Sequence, residues 1–163
     1  MDIERDLERI RLQEHKLRFD RFDAGVAWTL GAALKSAAEA RGKAVAIDIS
    51  LRGHQLFFYS MPGATPDNAD WIRRKKNVVE RFARSSYAVG LGLQRDGTTL
   101  QAKTGADPRD YATHGGSFPI YLTGGVCIGS ISVSGLPQRE DHELVVGVLA
   151  SHLAVPMAQI ALD

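Results

Sequence analysis

Five histidines, one cysteine and a serine–aspartate–histidine cluster are the side chains whose chemistry could set a function. The histidines are His15, His54, His114, His142 and His152. None stands one helical turn from another histidine or a cysteine, so no resident metal is expected. The sequence has no HExxH, CxxC, GxSxG or GxxxxGK[ST] pattern, which removes the commonest zinc, thiol-redox, serine-hydrolase and nucleotide-phosphate chemistries. Ser134, Asp141 and His142 fall within nine residues and offer a nucleophile, an orienting carboxylate and a base. Neighbouring residues on a helix diverge by about 100°, so Asp141 is badly placed to orient His142. Capping of a helix start by Asp141 or Gln138 accounts for the composition without catalysis. His114 is a different case, because it directly precedes Gly115-Gly116. Two glycines leave backbone N–H groups free to meet an anion or a carbonyl, and an imidazole beside them can act as donor, base or ligand. The competing reading is a histidine that orders its own turn by hydrogen bonding. Cys127 lies inside an apolar run and reads as core.

The elements that must position these groups follow from periodicity. HGGSFPIYLTGGVCIGSISVSG, His114 to Gly135, reads as a β-hairpin with strands over 118–122 and 126–134. Ala44 to Leu51 alternates apolar and polar, turns at Arg52-Gly53 and returns over 54–60. With that two-residue loop, the spacing sets Ile49 against Leu56, Ile47 against Phe58 and Asp48 against Phe57. Helices are expected over 2–17, over 24–41 with Asp23 as N-cap and Gly42 as stop, over about 69–84, over 85–94, and after Pro137. A short helix is expected near Leu100, within a long connection over 95–110. The 24–41 helix carries Trp28, Gly31 and Ala32 opposite its core face, an apolar outer side that fits a subunit contact. The 69–84 helix presents Trp71, Lys75, Val78, Val79 and Phe82 on one side and Arg73, Arg74, Arg81 and Arg84 on the other. The arginines read either as a solvated face or as a surface for an acidic partner. Asp67 and Asn68 read either as an N-cap or as a binding pair. Two hairpins separated by helices make an α+β layered domain with a mainly antiparallel sheet.

Composition bounds the rest. One domain, 1–163, with 44% hydrophobic residues can build a full core. Twenty basic and nineteen acidic residues nearly cancel, which argues against a dedicated nucleic-acid binder. No apolar run of membrane-spanning length occurs, and MDIERDLERIRLQEHK has no apolar signal core, so the expected setting is cytoplasmic, with no membrane partner.

IDISLRGHQLFFYSMPGATPDNADWIRRKK followed by HGGSFPIYLTGGVCIGSISVSGLPQREDHELV resembles uncharacterised bacterial and fungal proteins grouped with the haem-degrading domain superfamily. That superfamily includes the glycolate-operon G protein, a secreted haem-binding protein of actinomycetes and the C-terminal domain of a corrinoid adenosyltransferase. Asp48 with Arg52-Gly53-His54 resembles its first hairpin, and Lys75 a lysine on the helix that follows. The resemblance implies a profilin-like α-β-α sandwich with five strands and helices on both faces, and assembly into dimers or rings. It also implies a haem or other planar anionic ligand, while transferring no catalytic residue. The expected ligand-binding set is His114, Gly115, Gly116, Phe118, Asp67, Asn68, Trp71, Lys75 and His54, without a metal site. A protein-interaction scaffold using the arginine face, and a small enzyme of unknown reaction, stand as alternatives.

Overall fold

In the computed structural model, which describes residues 2–162, four antiparallel strands form one sheet in the order β2-β1-β4-β3. They are β1 (Ala46–Leu51), β2 (His54–Ser60), β3 (Ser117–Tyr121) and β4 (Cys127–Ser134). The two hairpins join through β1 and β4, with Ala46 opposite Ser134 and Leu51 opposite Gly129. The expected fifth strand is replaced by one residue. Phe19 bridges Leu122, donating to the Tyr121 carbonyl at 2.9 Å and accepting from Thr123 at 2.7 Å. Asp20 to Asp23 then carry the chain into a helix, which leaves no length for further pairing.

Alternation gives the sheet two unlike faces. Ile47, Ile49, Phe118, Ile120, Ile131 and Val133 point to one side and are fully buried. They pack against α2 (Ala24–Ala40) and α6 (Gln138–His152) through Leu30, Leu34, Leu144 and Leu149. The other side holds Asp48, Ser50, Ser117, Ser130 and Ser132, all buried under α3 (Pro66–Phe82). The architecture is therefore an α-β-α sandwich in which one interface is oily and the other is hydroxyl-rich.

Several sequence expectations shift. A bulge between Ile49 and Ser50 moves the first hairpin by one residue, so Ile49 faces Phe57, Asp48 faces Phe58 and Ile47 faces Tyr59. The irregularity absorbs an extra residue in β2 and swings Phe57 to the oily side. Gly31 turns inward there, so close that a Cβ would lie 2.6 Å from the Phe57 ring, and does not belong to an outer face. Trp28 does: it is 70% exposed, with its ring edge-on to Phe57 at 5.9 Å. Helix α3 starts at Pro66 rather than near Ala69, because Thr65 is the N-cap and Asn68 Oδ1 reaches back to accept from its N–H at 2.9 Å.

The remaining elements are α1 (Ile3–Lys16), α4 (Ser86–Arg95), α5 (Leu100–Thr104) and a 3-10 turn over Met157–Gln159. Helix α1 docks through an apolar cluster of Ile10 with Tyr87, Ala88 and Leu91, and through a polar seam beside it. Arg139 donates to Asp6 at 2.6 Å, Ser85 N–H donates to Glu14 at 2.8 Å, and Gln13 donates to the Ile160 carbonyl at 2.8 Å. Among the described residues, no helix is long and apolar enough to cross a membrane.

Candidate functional site

In an antiparallel hairpin the start of the first strand lies beside the end of the second. The segment entering β3, His114-Gly115-Gly116, therefore sits against Ser134-Gly135-Leu136, where β4 passes into α6. Val133 N–H donates to the Gly116 carbonyl at 2.8 Å, and Gly115 N–H to Gln138 Oε1 at 3.3 Å. Helix α3 crosses above this junction and drops Lys75 into it.

Lys75 is 2% exposed and uses all three ammonium protons. It donates to the Gly115 carbonyl at 2.9 Å, the Val133 carbonyl at 2.7 Å and Asp141 Oδ2 at 3.2 Å. Asp141 Oδ1 accepts from Leu136 N–H at 3.0 Å. One lysine thus ties α3, the glycine segment, β4 and α6 together. The glycines are what let it. Gly116 has φ +124, and a Cβ there would fall 2.4 Å from Lys75 Nζ and 2.6 Å from the Val133 carbonyl. A Cβ on Gly115 would fall 2.2 Å from the Gln138 carbonyl. Burial pushes the Asp141 carboxyl up to about 6 against the opposing pull of Lys75, and burial lowers the Lys75 ammonium.

Above this floor lies an open cleft of about 290 Å³, lined by Asp67, Asn68, Trp71, His114, Ser134 and Gln138 over the Lys75–Asp141 pair. Asn68 Nδ2 donates to Ser134 Oγ at 3.4 Å. His114 is exposed and stands edge-to-face with Trp71, centroids 4.9 Å apart. Its imidazole makes no hydrogen bond to any described residue, so it is not a strut for its turn. Partial burial and the charges of Lys75 and Arg74 lower its pKa, which favours the neutral imidazole.

The structure brings His114, Gly115, Asp67, Asn68, Trp71 and Lys75 to one cleft, with Gly116 directly beneath. Two expected residues lie elsewhere. Phe118 is in the oily interface, because β3 alternation turns it away from α3. His54 is exposed at the Leu51 end of β1, the opposite end of that strand from Ser134. Ser134, Gly135, Leu136, Gln138 and Asp141 complete the lining and are absent from the expected set, although a hairpin that pairs Ser117 with Ser132 carries Ser134 alongside the glycine segment before β3. Asp141 is the correction that matters most: it is a buried ion-pair partner and not simply a helix cap. His142 points the other way, 1% exposed, with Nε2 2.8 Å from Gln13 Oε1 and its ring between Tyr87 and Phe118. No triad forms.

The arginine face is largely consumed internally. Arg73 pairs with Asp70 and Asp110 at 3.0 Å each, Arg74 with Asp70 at 3.0 Å, and Arg84 with Glu14. Arg81 donates to the Thr104 carbonyl at 3.3 Å. No group of His, Cys, Asp and Glu able to hold a metal ion occurs among the described residues.

Comparison with known proteins agrees with this architecture. The family described as "Haem degrading protein HbpS-like" matches residues 22–150. A UPF0303 protein of Azotobacter vinelandii is 55% identical over 163 residues, covering 100% of this chain and 98% of its own. The crystal structure of Ybr137w protein superposes with TM-score 0.82 at 32% identity, covering 91% of this chain and 87% of that one. The crystal structure of a PduOC:Heme Complex superposes with TM-score 0.64 at 19% identity, covering 75% and 88%, a likeness of fold alone.

Proposed function

The chain belongs to the HbpS-like haem-degrading family, and from the chemistry of its cleft we propose that it is a cytoplasmic, homo-oligomeric small-molecule-binding domain. Its ligand is a tetrapyrrole such as haem, or another planar anionic molecule. The observation that carries this reading is His114: an exposed imidazole without a hydrogen-bond partner among the described residues, set edge-to-face with Trp71 at the rim of a cleft whose floor is locked by a buried ion pair. An imidazole of that kind would serve as a ligand to a haem iron, and a flat ring would pack beside Trp71. Bound haem would supply redox-active iron; His114 would hold it, while Asn68, Ser134 and Gln138 offer hydrogen bonds along the cleft. The three protons of Lys75 are all engaged, and Asp141 is held by Lys75 and by the Leu136 N–H. Their part is to fix the glycine segment from which His114 projects.

The scaffold reading is weaker, because the arginines it needs are paired within the chain. Oligomerisation draws its support from Trp28, a 70% exposed indole on α2, and from Phe58, 43% exposed on the edge strand β2.

Titration with hemin tests the site. We expect a saturable Soret band at one hemin per chain, altered in His114→Ala and unchanged in His54→Ala and His152→Ala. A band that survives every single histidine-to-alanine change would mean adsorption to apolar surface and would remove haem from the account.

A further inference from the structure

His114 lines a second cavity as well as the first. It shares in lining a cleft of about 460 Å³ bounded by Leu93, Leu100, Ala106, Pro108 and Tyr111, to which Arg74 also contributes. The first cleft alone is at the lower limit of what encloses a small-molecule ligand, since such pockets measure roughly 300–1,000 Å³. The two together are well inside that range. Their linings are also complementary in kind. The first offers amide, hydroxyl and carboxylate groups, and the second offers mainly side-chain carbon.

The wall between them is built for a flat group. Trp71 meets His114 edge-on, and the Arg74 guanidinium stacks over the Trp71 ring at 4.1 Å. Arg74 Nε is held by Asp70 at 3.0 Å, and its Nη groups make no hydrogen bond among the described residues. The 95–113 connection, long for so compact a chain, thereby acquires a role: it walls the second cleft. Its end is anchored by Ala112 N–H to the Arg74 carbonyl at 3.1 Å and by Asn77 to the Asp110 carbonyl at 2.8 Å. Gly90 permits this seating, for a Cβ there would fall 2.2 Å from the Thr113 carbonyl. Without that close approach the segment carrying His114 would stand away from α4.

We propose that the ligand site is bipartite: one amphipathic molecule spans both clefts across His114, its apolar planar body over Leu93, Leu100 and Tyr111, its anionic group at the free Nη edge of Arg74, and its remaining polar edge among Asn68, Ser134 and Gln138 of the first cleft. This rests on the ligand-binding reading of the first cleft and narrows its ligand to planar amphipathic anions. Small polar metabolites would leave the carbon-lined half empty.

Two probes separate this inference from the reading beneath it. 1-Anilinonaphthalene-8-sulfonate has the required flat apolar body and anionic end but no iron; hemin has both and an iron. The wild-type chain should bind the dye saturably with a blue-shifted emission. Leu100→Trp, which fills the second cleft, and Arg74→Gln should each weaken it at least tenfold. Tyr111→Ala is the second variant should Leu100→Trp fail to show a native circular-dichroism spectrum, and should weaken the dye severalfold. The same variants should weaken hemin while leaving its Soret position unchanged, because His114 remains. Hemin binding lost in His114→Ala but indifferent to Leu100→Trp, Tyr111→Ala and Arg74→Gln would overturn the bipartite site and leave the first cleft standing. Dye binding that depends on Leu100 and Arg74, with no hemin binding at all, would remove haem and keep the amphipathic anion. Dye and hemin binding both indifferent to all these changes would overturn both.

Discussion

The two faces of the sheet are held by different physics, and the site belongs to only one of them. On the α2/α6 side, six large apolar side chains interlock with helix leucines, a contact that tolerates exchange if volume is kept. On the α3 side the sheet contributes an aspartate and a row of serines. Ser117 and Ser132 share a hydrogen bond at 2.7 Å, Asp48 accepts from Ser50 at 2.7 Å and from Gln55 at 2.6 Å, and Lys75 satisfies two strand-end carbonyls and Asp141. A buried polar layer is directional and fails when one partner is missing. The oily face therefore supplies burial, while the polar face fixes where α3 sits and how the glycine segment is aimed.

The largest effects should come from one change on each face. Lys75→Met should cost about 3–5 kcal/mol, because Asp141 and two carbonyls are left buried and unpaired. Phe118→Ala should cost a similar ~3–5 kcal/mol through a cavity. Partial rescue distinguishes them in urea melts. Lys75→Met should be relieved by adding Asp141→Leu, and position 118 by choosing Leu instead of Ala. If Lys75→Met alone were neutral, the polar face would not be the specifying layer.

Acid sharpens the contrast next, since adjacent residues on α6 face opposite sides. His142 is buried on the oily side and its pKa is pushed down to about 3. Its folded value lies below the unfolded one, so its contribution is complete above pH 6.5 and drains away as pH falls toward 3. By pH 4 the loss should reach roughly 3 kcal/mol at about 1.4 kcal/mol per pH unit. Asp141, raised to about 6, has the opposite sign: its folded state binds the proton more readily, so acidification from above pH 6 to pH 4 favours folding. His142→Gln should flatten the acid limb of stability against pH, and Asp141→Asn should steepen it. Equal curves for the two variants would contradict this placement.

Smaller effects probe the geometry itself. Gly116→Val should cost roughly 1–3 kcal/mol, since φ +124 and the Lys75 contact both resist a side chain. His114→Ala should cost much less, because its ring has no hydrogen-bond partner to orphan; a loss as large as that of Gly116→Val would make His114 structural. At the bottom of the scale, Ser132→Ala should cost about 1 kcal/mol, and Ser117→Ala with Ser132→Ala less than the sum of the singles. Light scattering of Trp28→Glu should show a smaller species than wild type; a wild-type monomer at micromolar concentration would leave Trp28 without a subunit contact.

Much of this contrast was legible in the residues. Alternation in Ala46–Leu51 assigns the two faces of β1, and N-caps such as Asp23 mark helix starts. Glycine pairing exposed the His114 segment. What stayed hidden depends on chain segments far apart in sequence. The Ile49/Ser50 bulge reset a register that loop length alone had placed one residue away. Lys75 and Asp141 lie 66 positions apart, and no local pattern says that an aspartate in a helix's first turn meets a lysine from another layer. Phe118 lies close to His114 in sequence, but each single step along a strand changes faces, and Phe118 falls on the oily one.

The two tryptophans offer the most direct test of the claim that the His114 cleft holds the ligand. Trp71 stands at the cleft and Trp28 on the outer side of α2. Gallium protoporphyrin, diamagnetic and flat, can be titrated into nitrogen-15-labelled protein while both indole N–H resonances are followed by NMR. The account predicts a saturable ring-current shift at Trp71 that His114→Ala reduces, with Trp28 unmoved. A shift confined to Trp28, or one at Trp71 indifferent to His114, would contradict it.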